Sequence, residues 1–162
     1  MKVLKKDINP LLKLLETVEI PINYDRDRKK KEGDPHGSKM PAGKGRSVLL
    51  GKIPRRNDLS KFTKQHPEIY EEVKRLAQKY VDFPVSSFML NKNYQTQKHY
   101  DPKNVGESVI FSFGDFKGGE LIMEGELVDT YMKTVKMDGS KSLHWNLPIT
   151  EGTKYSLVFF NS

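Results

Sequence analysis

The sequence predicts an α+β protein, with helices first and then short strands that form a sandwich or barrel against them. Three observations carry this expectation. Apolar residues recur at helical spacing in two segments before Pro84. After Pro84 the chain breaks into short β-type runs separated by turn residues. No strand–helix–strand rhythm of about 30 residues appears, and no internal repeat.

The first helix is expected over residues 10–18. Asn9 can cap it, Pro10 suits a first helical position, and Leu11, Leu12, Leu14, Leu15 and Val18 form an apolar face. From Tyr24 to Arg46 the pattern dissolves into charge, Gly and Pro, which predicts a long loop. A second helix should begin near Pro67. Ile69, Val73, Leu76, Ala77 and Tyr80 share one face, and Pro84 bounds the helix. Strands are expected at 86–92, 107–113, 119–124, 140–145 and 154–160, with weaker candidates near 128–136. The 162 residues then read as one domain: helical support and a basic loop over 1–83, and a strand-built core over 84–162.

Composition narrows the class. The chain is 36% hydrophobic and 30% charged, as expected of a soluble globular protein, and no apolar run approaches the roughly 20 residues that span a bilayer. The first residues, Met1-Lys2-Val3-Leu4-Lys5-Lys6-Asp7, lack the apolar core of a signal peptide. The absence of cysteine excludes disulfide and thiolate chemistry and suits an intracellular protein, cytoplasmic or nuclear; the sequence leaves the oligomeric state open, a monomer among the options. The net charge is +7. Residues 25–56 hold eleven Lys or Arg against four Asp or Glu, so this segment accounts for the whole excess. A basic excess confined to one segment fits a polyanionic partner, or else a solvated loop whose lysines keep it soluble.

Two histidines stand two residues before a carboxylate, in His66-Pro67-Glu68 and His99-Tyr100-Asp101. On a helix, residues i and i+2 diverge, so His66 and Glu68 cannot grip one ion where Pro67 starts a helix, and His66 reads as a surface or capping residue. On an extended chain they share a face, so His99 and Asp101 can reach one point. His36, between Pro35 and Gly37, reads as exposed. The remaining histidine, His144, lies on a predicted strand between Leu143 and Trp145. Taken alone, it reads as a core histidine bonded to a carbonyl. Taken with His99 and Asp101, it completes the two-His, one-carboxylate facial set of non-haem Fe(II) oxygenases, which leaves positions open for cosubstrate and O₂.

The chain after His144 bears on that choice. Lys154 follows ten residues later and Ser156 two beyond it, leading into Leu157-Val158-Phe159-Phe160. A cation and a hydroxyl in an apolar strand suit the far carboxylate of 2-oxoglutarate, whose 2-oxo acid end would chelate the iron. The alternative for Lys154 is an edge residue snorkelling to solvent.

From Ser86 to Phe160 the chain resembles the Fe(II)/2-oxoglutarate-dependent dioxygenases. His99-x-Asp101, His144 and the basic anchor Lys154 stand in that superfamily's order. Pro148, Gly152 and Lys154 resemble the spacing in prolyl 4-hydroxylase-like members, whereas many other members carry Arg as anchor. Phe113 to Leu121 is similar to the turn of TET/JBP-like members, and its Gly118-Gly119-Glu120 is also similar to the Gly-Gly-Glu of prolyl hydroxylases. The resemblance implies a double-stranded β-helix (jelly-roll) core with the N-terminal helices packed on it. It further implies Fe(II) at His99, Asp101 and His144, and 2-oxoglutarate and O₂ consumed with release of succinate and CO₂. The expected outcome is hydroxylation of a C–H bond in a macromolecular substrate.

By the same resemblance Asn91 and Asn93 are expected to contact 2-oxoglutarate, on one face with His99 and Asp101 if the strand stays regular. Amides that bond neighbouring strands are the alternative. Asn146 shares a face with His144 by two-residue spacing and is expected to touch the metal's surroundings or the cosubstrate. A nucleobase in DNA or RNA fits the basic segment and the TET/JBP-like turn. A peptide residue fits the Lys anchor and its Pro/Gly spacing, as in a prolyl-type hydroxylase. A non-catalytic jelly-roll that binds a ligand or partner is the third reading. Gly37 to Gly45 only approximates a phosphate-binding loop: five residues separate its glycines and Gly45 stands where Ser or Thr is needed.

Overall fold

The computed structural model describes residues 1–22 and 44–162. His36, the basic cluster Arg28 to Lys31 and most of the loop expected from Tyr24 lie outside the described residues. Three helices, α1 (Lys5–Leu15), α2 (Lys61–Gln65) and α3 (Pro67–Tyr80), accompany eight strands. These are β1 (Lys44–Gly51), β2 (Ser87–Gln95), β3 (Ser108–Gly118), β4 (Leu121–Met123), β5 (Glu126–Val128), β6 (Val135–Met137), β7 (His144–Asn146) and β8 (Ile149–Phe160). They form a five-stranded antiparallel sheet, ordered β1-β2-β8-β3-β6, and a three-stranded one, ordered β5-β4-β7.

The first helix begins at Lys5 rather than at residue 10, and Pro10 stands inside it. What fixes the earlier start is tertiary. Asp7 receives a hydrogen bond from Tyr80 and an ion pair from Lys79 on α3, the Tyr80 hydroxyl accepts the Leu4 N–H, and Ile8 is buried in line with Leu11 and Leu15. These contacts outweigh the one backbone bond that Pro10 forfeits. The second helix starts at Pro67 as expected, and the short α2 before it is capped by the Ser60 hydroxyl.

Register sorts the large sheet into transverse rows, because cross-strand partners point to one face and successive residues alternate. One face carries Leu50, Phe88, Phe159 and Val109 in one row and Val48, Leu90, Leu157 and Phe111 in the next. These join the helices' Leu11, Leu15, Ile69, Val73 and Leu76 in the hydrophobic core. The other face carries an apolar row, Leu49, Met89, Val158 and Ile110, and beside it a polar one, Ser47, Asn91, Ser156 and Ser112. Lys154 opens the row beyond, opposite Gly114.

Candidate metal and cosubstrate site

After β2 the chain crosses to the small sheet and runs back along β7. Thr96 accepts the Asn146 N–H, and His99 and His144 exchange backbone hydrogen bonds of 3.1 Å. Asp101 donates its N–H to Gly139 just past β6, and Val105 donates to Asn161 just past β8. The return path therefore ends where β8 ends. His99 and Asp101 were expected to close a strand, but the strand stops at Gln95 and only His99 makes a bridge. Pairing with His144, rather than strand alternation, brings the residues together.

The ligand atoms of His99, Asp101 and His144 all lie within 4.8 Å of one another. Asp101 divides its carboxylate between the rings, with Oδ1 3.5 Å from His99 Nε2 and Oδ2 3.2 Å from His144 Nε2. Each ring turns Nδ1 to a backbone carbonyl two residues earlier, His99 to Gln97 at 2.6 Å and His144 to Ser142 at 2.8 Å. A carbonyl only accepts, so both protons of the neutral rings sit on Nδ1 and both Nε2 atoms offer lone pairs toward the carboxylate. Three donors converging on one point demand positive charge between them, from a second proton on a ring or from a metal ion. Burial works to raise the Asp101 carboxyl, but once the rings carry a second proton, hydrogen bonding and charge from His144 and His99 override it and hold the group well below the usual carboxylate range. There is also space beside the donors. A Cβ at position 139 would stand 2.8 Å from Asp101 Oδ2 and 3.4 Å from His144 Cε1, and glycine leaves that volume open. The donor set and the room fit Fe(II) or another octahedral divalent ion. His66 is not part of the group; it stands at the junction of α2 and α3 with its ring 4.4 Å from that of Phe62.

Lys154 is 95% buried. Its Nζ donates to the Gly119 carbonyl at 2.6 Å and lies over the Phe116 ring, and among the described residues it forms no ion pair. Burial pushes its pKa down to about 8, against the opposing charge of Glu120. Gly119 has φ +72° and sits against the lysine stem, where a Cβ would come within 3.0 Å of Cδ. The turn from β3 to β4 therefore needs glycine both for its backbone and to admit the side chain.

Ser156 stands one row away, and its surroundings fix its proton. The Ser47 hydroxyl donates to Asn91 Oδ1 at 2.6 Å, so Asn91 turns Nδ2 to Ser156 Oγ at 3.1 Å. Ser156 thus accepts from Asn91 and retains its own O–H to give. Asn93 has φ +49°, which interrupts the alternation that was to align it with His99, and its Oδ1 accepts the Lys154 N–H at 2.7 Å. Asn146 accepts from the Thr96 hydroxyl at 2.8 Å and so ties β7 to the crossing segment. Ser108 Oγ, on the same face of the large sheet, is the buried side-chain polar atom without a partner among the described residues.

Gly139, Ser47 and Ser108 were not anticipated. Asp138-Gly139 signals only a turn. The short apolar run Val48-Leu49-Leu50 is the one trace of β1, in a stretch where Arg46 had been assigned to a loop.

No protein-family model matches the sequence, and no curated protein matches it. Solved structures do match in fold. NgTET1 in complex with 5mC DNA superposes with a TM-score of 0.59 at 15% identity, over 98% of this chain and 69% of that one. A 2OG-Fe(II) oxygenase family oxidoreductase from Burkholderia pseudomallei gives 0.56 at 15% identity, over 96% and 78%. A prolyl-4-hydroxylase from Pseudomonas putida is less similar, at 0.43 and 13% identity over 74% and 73%. The chain shares its fold with structures of the Fe(II)/2-oxoglutarate oxygenases.

Proposed function

We propose that this chain is an Fe(II)- and 2-oxoglutarate-dependent dioxygenase, built on a double-stranded β-helix, that hydroxylates a C–H bond of a nucleobase in DNA or RNA. The observation that carries the reading is Lys154: a buried cation with no carboxylate partner among the described residues, on the same sheet face as a hydroxyl with a proton to give. Burying an unpaired charge is costly, and a ligand carboxylate received by Lys154 and Ser156 offsets that cost. His99, Asp101 and His144 would hold the metal, with Gln97 and Ser142 fixing the two rings for that purpose. Bound there with 2-oxoglutarate, Fe(II) would supply the O₂ chemistry that ends in succinate, CO₂ and a hydroxylated product. The protein's own part is to orient the two ends of the cosubstrate and to keep the pocket dry, which the apolar row Leu49, Met89, Val158 and Ile110 serves. Asn91, Asn93 and Asn146 act through other groups in this reading: Asn91 aims Ser156, Asn93 holds the Lys154 backbone, and Asn146 holds β7.

The nucleobase reading draws support from the basic segment, and NgTET1 with 5mC DNA is a case of this fold accommodating DNA. A peptidyl, prolyl-type hydroxylase is the second reading, favoured by lysine in the anchor position with Pro148 and Gly152 before it. Succinate formation from Fe(II)-loaded protein tests both, measured alone, with short oligonucleotides and with a proline-rich peptide. Stimulation by oligonucleotide supports the proposal and stimulation by peptide alone transfers it to the second reading. No succinate under any condition leaves a binding module.

A further inference from the structure

The loop from Lys52 to Leu59 is a compact hairpin. Lys52 and Leu59 form a bridge, Ile53 N–H reaches Asp58 O at 2.8 Å, Arg56 N–H reaches Ile53 O at 3.0 Å, and Lys52 N–H ties the base to Ser86 O at 2.8 Å. Arg55 and Arg56 stand exposed at its tip, and neither forms an ion pair or hydrogen bond through its side chain among the described residues. The acid on the same loop, which feels the charge of Arg56, is already committed. Asp58 is paired with Lys64 at 3.0 Å and accepts the Leu59 N–H at 2.9 Å.

Two features set this pair apart from other surface cations among the described residues. Arg55 holds φ +60°, a left-handed conformation that glycine adopts freely and a long side chain only at a cost, so the loop keeps arginine where the backbone favours glycine. The loop also leaves β1 at a particular end of the large sheet. Gly51 pairs with Ser87 and Ser87 with Phe160, the end at which Val105 of the Asp101 loop meets Asn161 and β6 runs on to Gly139. Two guanidinium groups without an ion-pair partner among the described residues are thus held on a pinned loop at the end of the sheet where the metal-ligand loop closes. Lys103 on that closing loop is likewise exposed without an ion pair among the described residues.

We propose that the Lys52–Leu59 hairpin is a nucleic-acid backbone contact, with Arg55 and Arg56 binding phosphates that flank the base presented to the metal site. The guanidinium fork matches phosphate oxygens, and a loop braced by those three backbone hydrogen bonds loses little freedom on binding. This rests on the nucleobase reading above, and it adds the residues that grip the substrate and the end from which the substrate enters.

The test is fluorescence anisotropy of a short single-stranded oligonucleotide at several salt concentrations, beside an acidic peptide of equal charge. The proteins are wild type, Arg55→Gly/Arg56→Ala, and a control, Lys13→Ala/Lys117→Ala, that removes two cations elsewhere. Two lost phosphate contacts should lower the slope of log affinity against log salt by about 1.4 and weaken binding roughly tenfold or more near 0.1 M salt. The control should match wild type. Glycine relieves the left-handed strain at position 55, so Arg55→Gly alone should bind more weakly with no loss of Tm, which separates contact from folding. Conversion of 2-oxoglutarate to succinate without substrate should be unchanged in every variant. A double variant that binds oligonucleotide with the wild-type affinity and slope overturns the hairpin contact and leaves the nucleobase reading standing. Wild-type protein that binds the peptide but no oligonucleotide at low salt overturns both.

Discussion

The two faces of the five-stranded sheet are made by the same strands yet carry opposite chemistry. Toward the helices, Phe88, Leu90, Phe111, Leu157 and Phe159 are essentially fully buried and pack ring against ring, with Phe111 and Phe159 centroids 5.7 Å apart. Toward the small sheet, Ser47, Ser112, Ser156 and Lys154 are also buried and Asn91 is partly so, and hydrogen bonds rather than contacts organise them. One face supplies stability and the other gives some of it up to hold polar groups ready. A substitution should therefore act on folding or on ligand binding according to its parity along the strand.

The largest effect should come from the helix side. Phe111→Ala removes a ring that meets Tyr80, Phe113 and Phe159 and should cost about 3–5 kcal/mol of stability by urea denaturation. The folded fraction should bind metal and 2-oxoglutarate as wild type does; a selective loss of 2-oxoglutarate binding would mean the faces are coupled. Lys154→Ala should do the reverse. It should weaken 2-oxoglutarate binding by about 2–5 kcal/mol in calorimetry while leaving Tm unchanged or raised, because a buried unpaired cation is removed.

The state of Lys154 adds a pH signature. Burial lowers its pKa to about 8, so the charged form that meets a carboxylate is present below that pH and is lost above it. Wild-type affinity for 2-oxoglutarate should fall as pH rises through about 8, and Lys154→Arg, which stays charged, should bind more weakly at neutral pH but without that fall. Equal slopes in both proteins would place the titrating group elsewhere. The smallest effect expected is that of Ser47→Ala. It frees Asn91 to rotate and Ser156 to turn its proton away, weakening 2-oxoglutarate binding by about 0.5–1.5 kcal/mol with metal affinity unchanged.

The residues proposed to carry chemistry were more legible in the sequence than the elements that present them. His99, Asp101, His144 and Lys154 stood out because charge and imidazole are sparse in strands, and the spacing narrowed the choice. The amides were legible as polar strand residues, but not in their roles, because which way Asn91 turns depends on Ser47 in a strand 44 residues away. That strand went unread since its apolar run is only three residues and follows a charged segment; pairing with β2 is what makes it β. The polar start of β8, Thr150 to Thr153, also reads as loop. It is a strand because Asp115 to Lys117 extend β3 to pair with it, a contact that no local pattern records. Pro10 misplaced the first helix for a similar reason, since Asp7 is held by α3 and not by its own turn.

In the proposed site His99, Asp101 and His144 hold one divalent ion, and this ion together with Lys154 receives 2-oxoglutarate. Calorimetric titration with Mn(II) under exclusion of Fe(II), followed by 2-oxoglutarate, tests it most directly in wild type and His144→Ala. Wild type should take up one Mn(II) and then 2-oxoglutarate, and His144→Ala should lose the first event severely and the second with it. Mn(II) uptake in His144→Ala at wild-type affinity, or 2-oxoglutarate binding equally well without metal, would contradict the account.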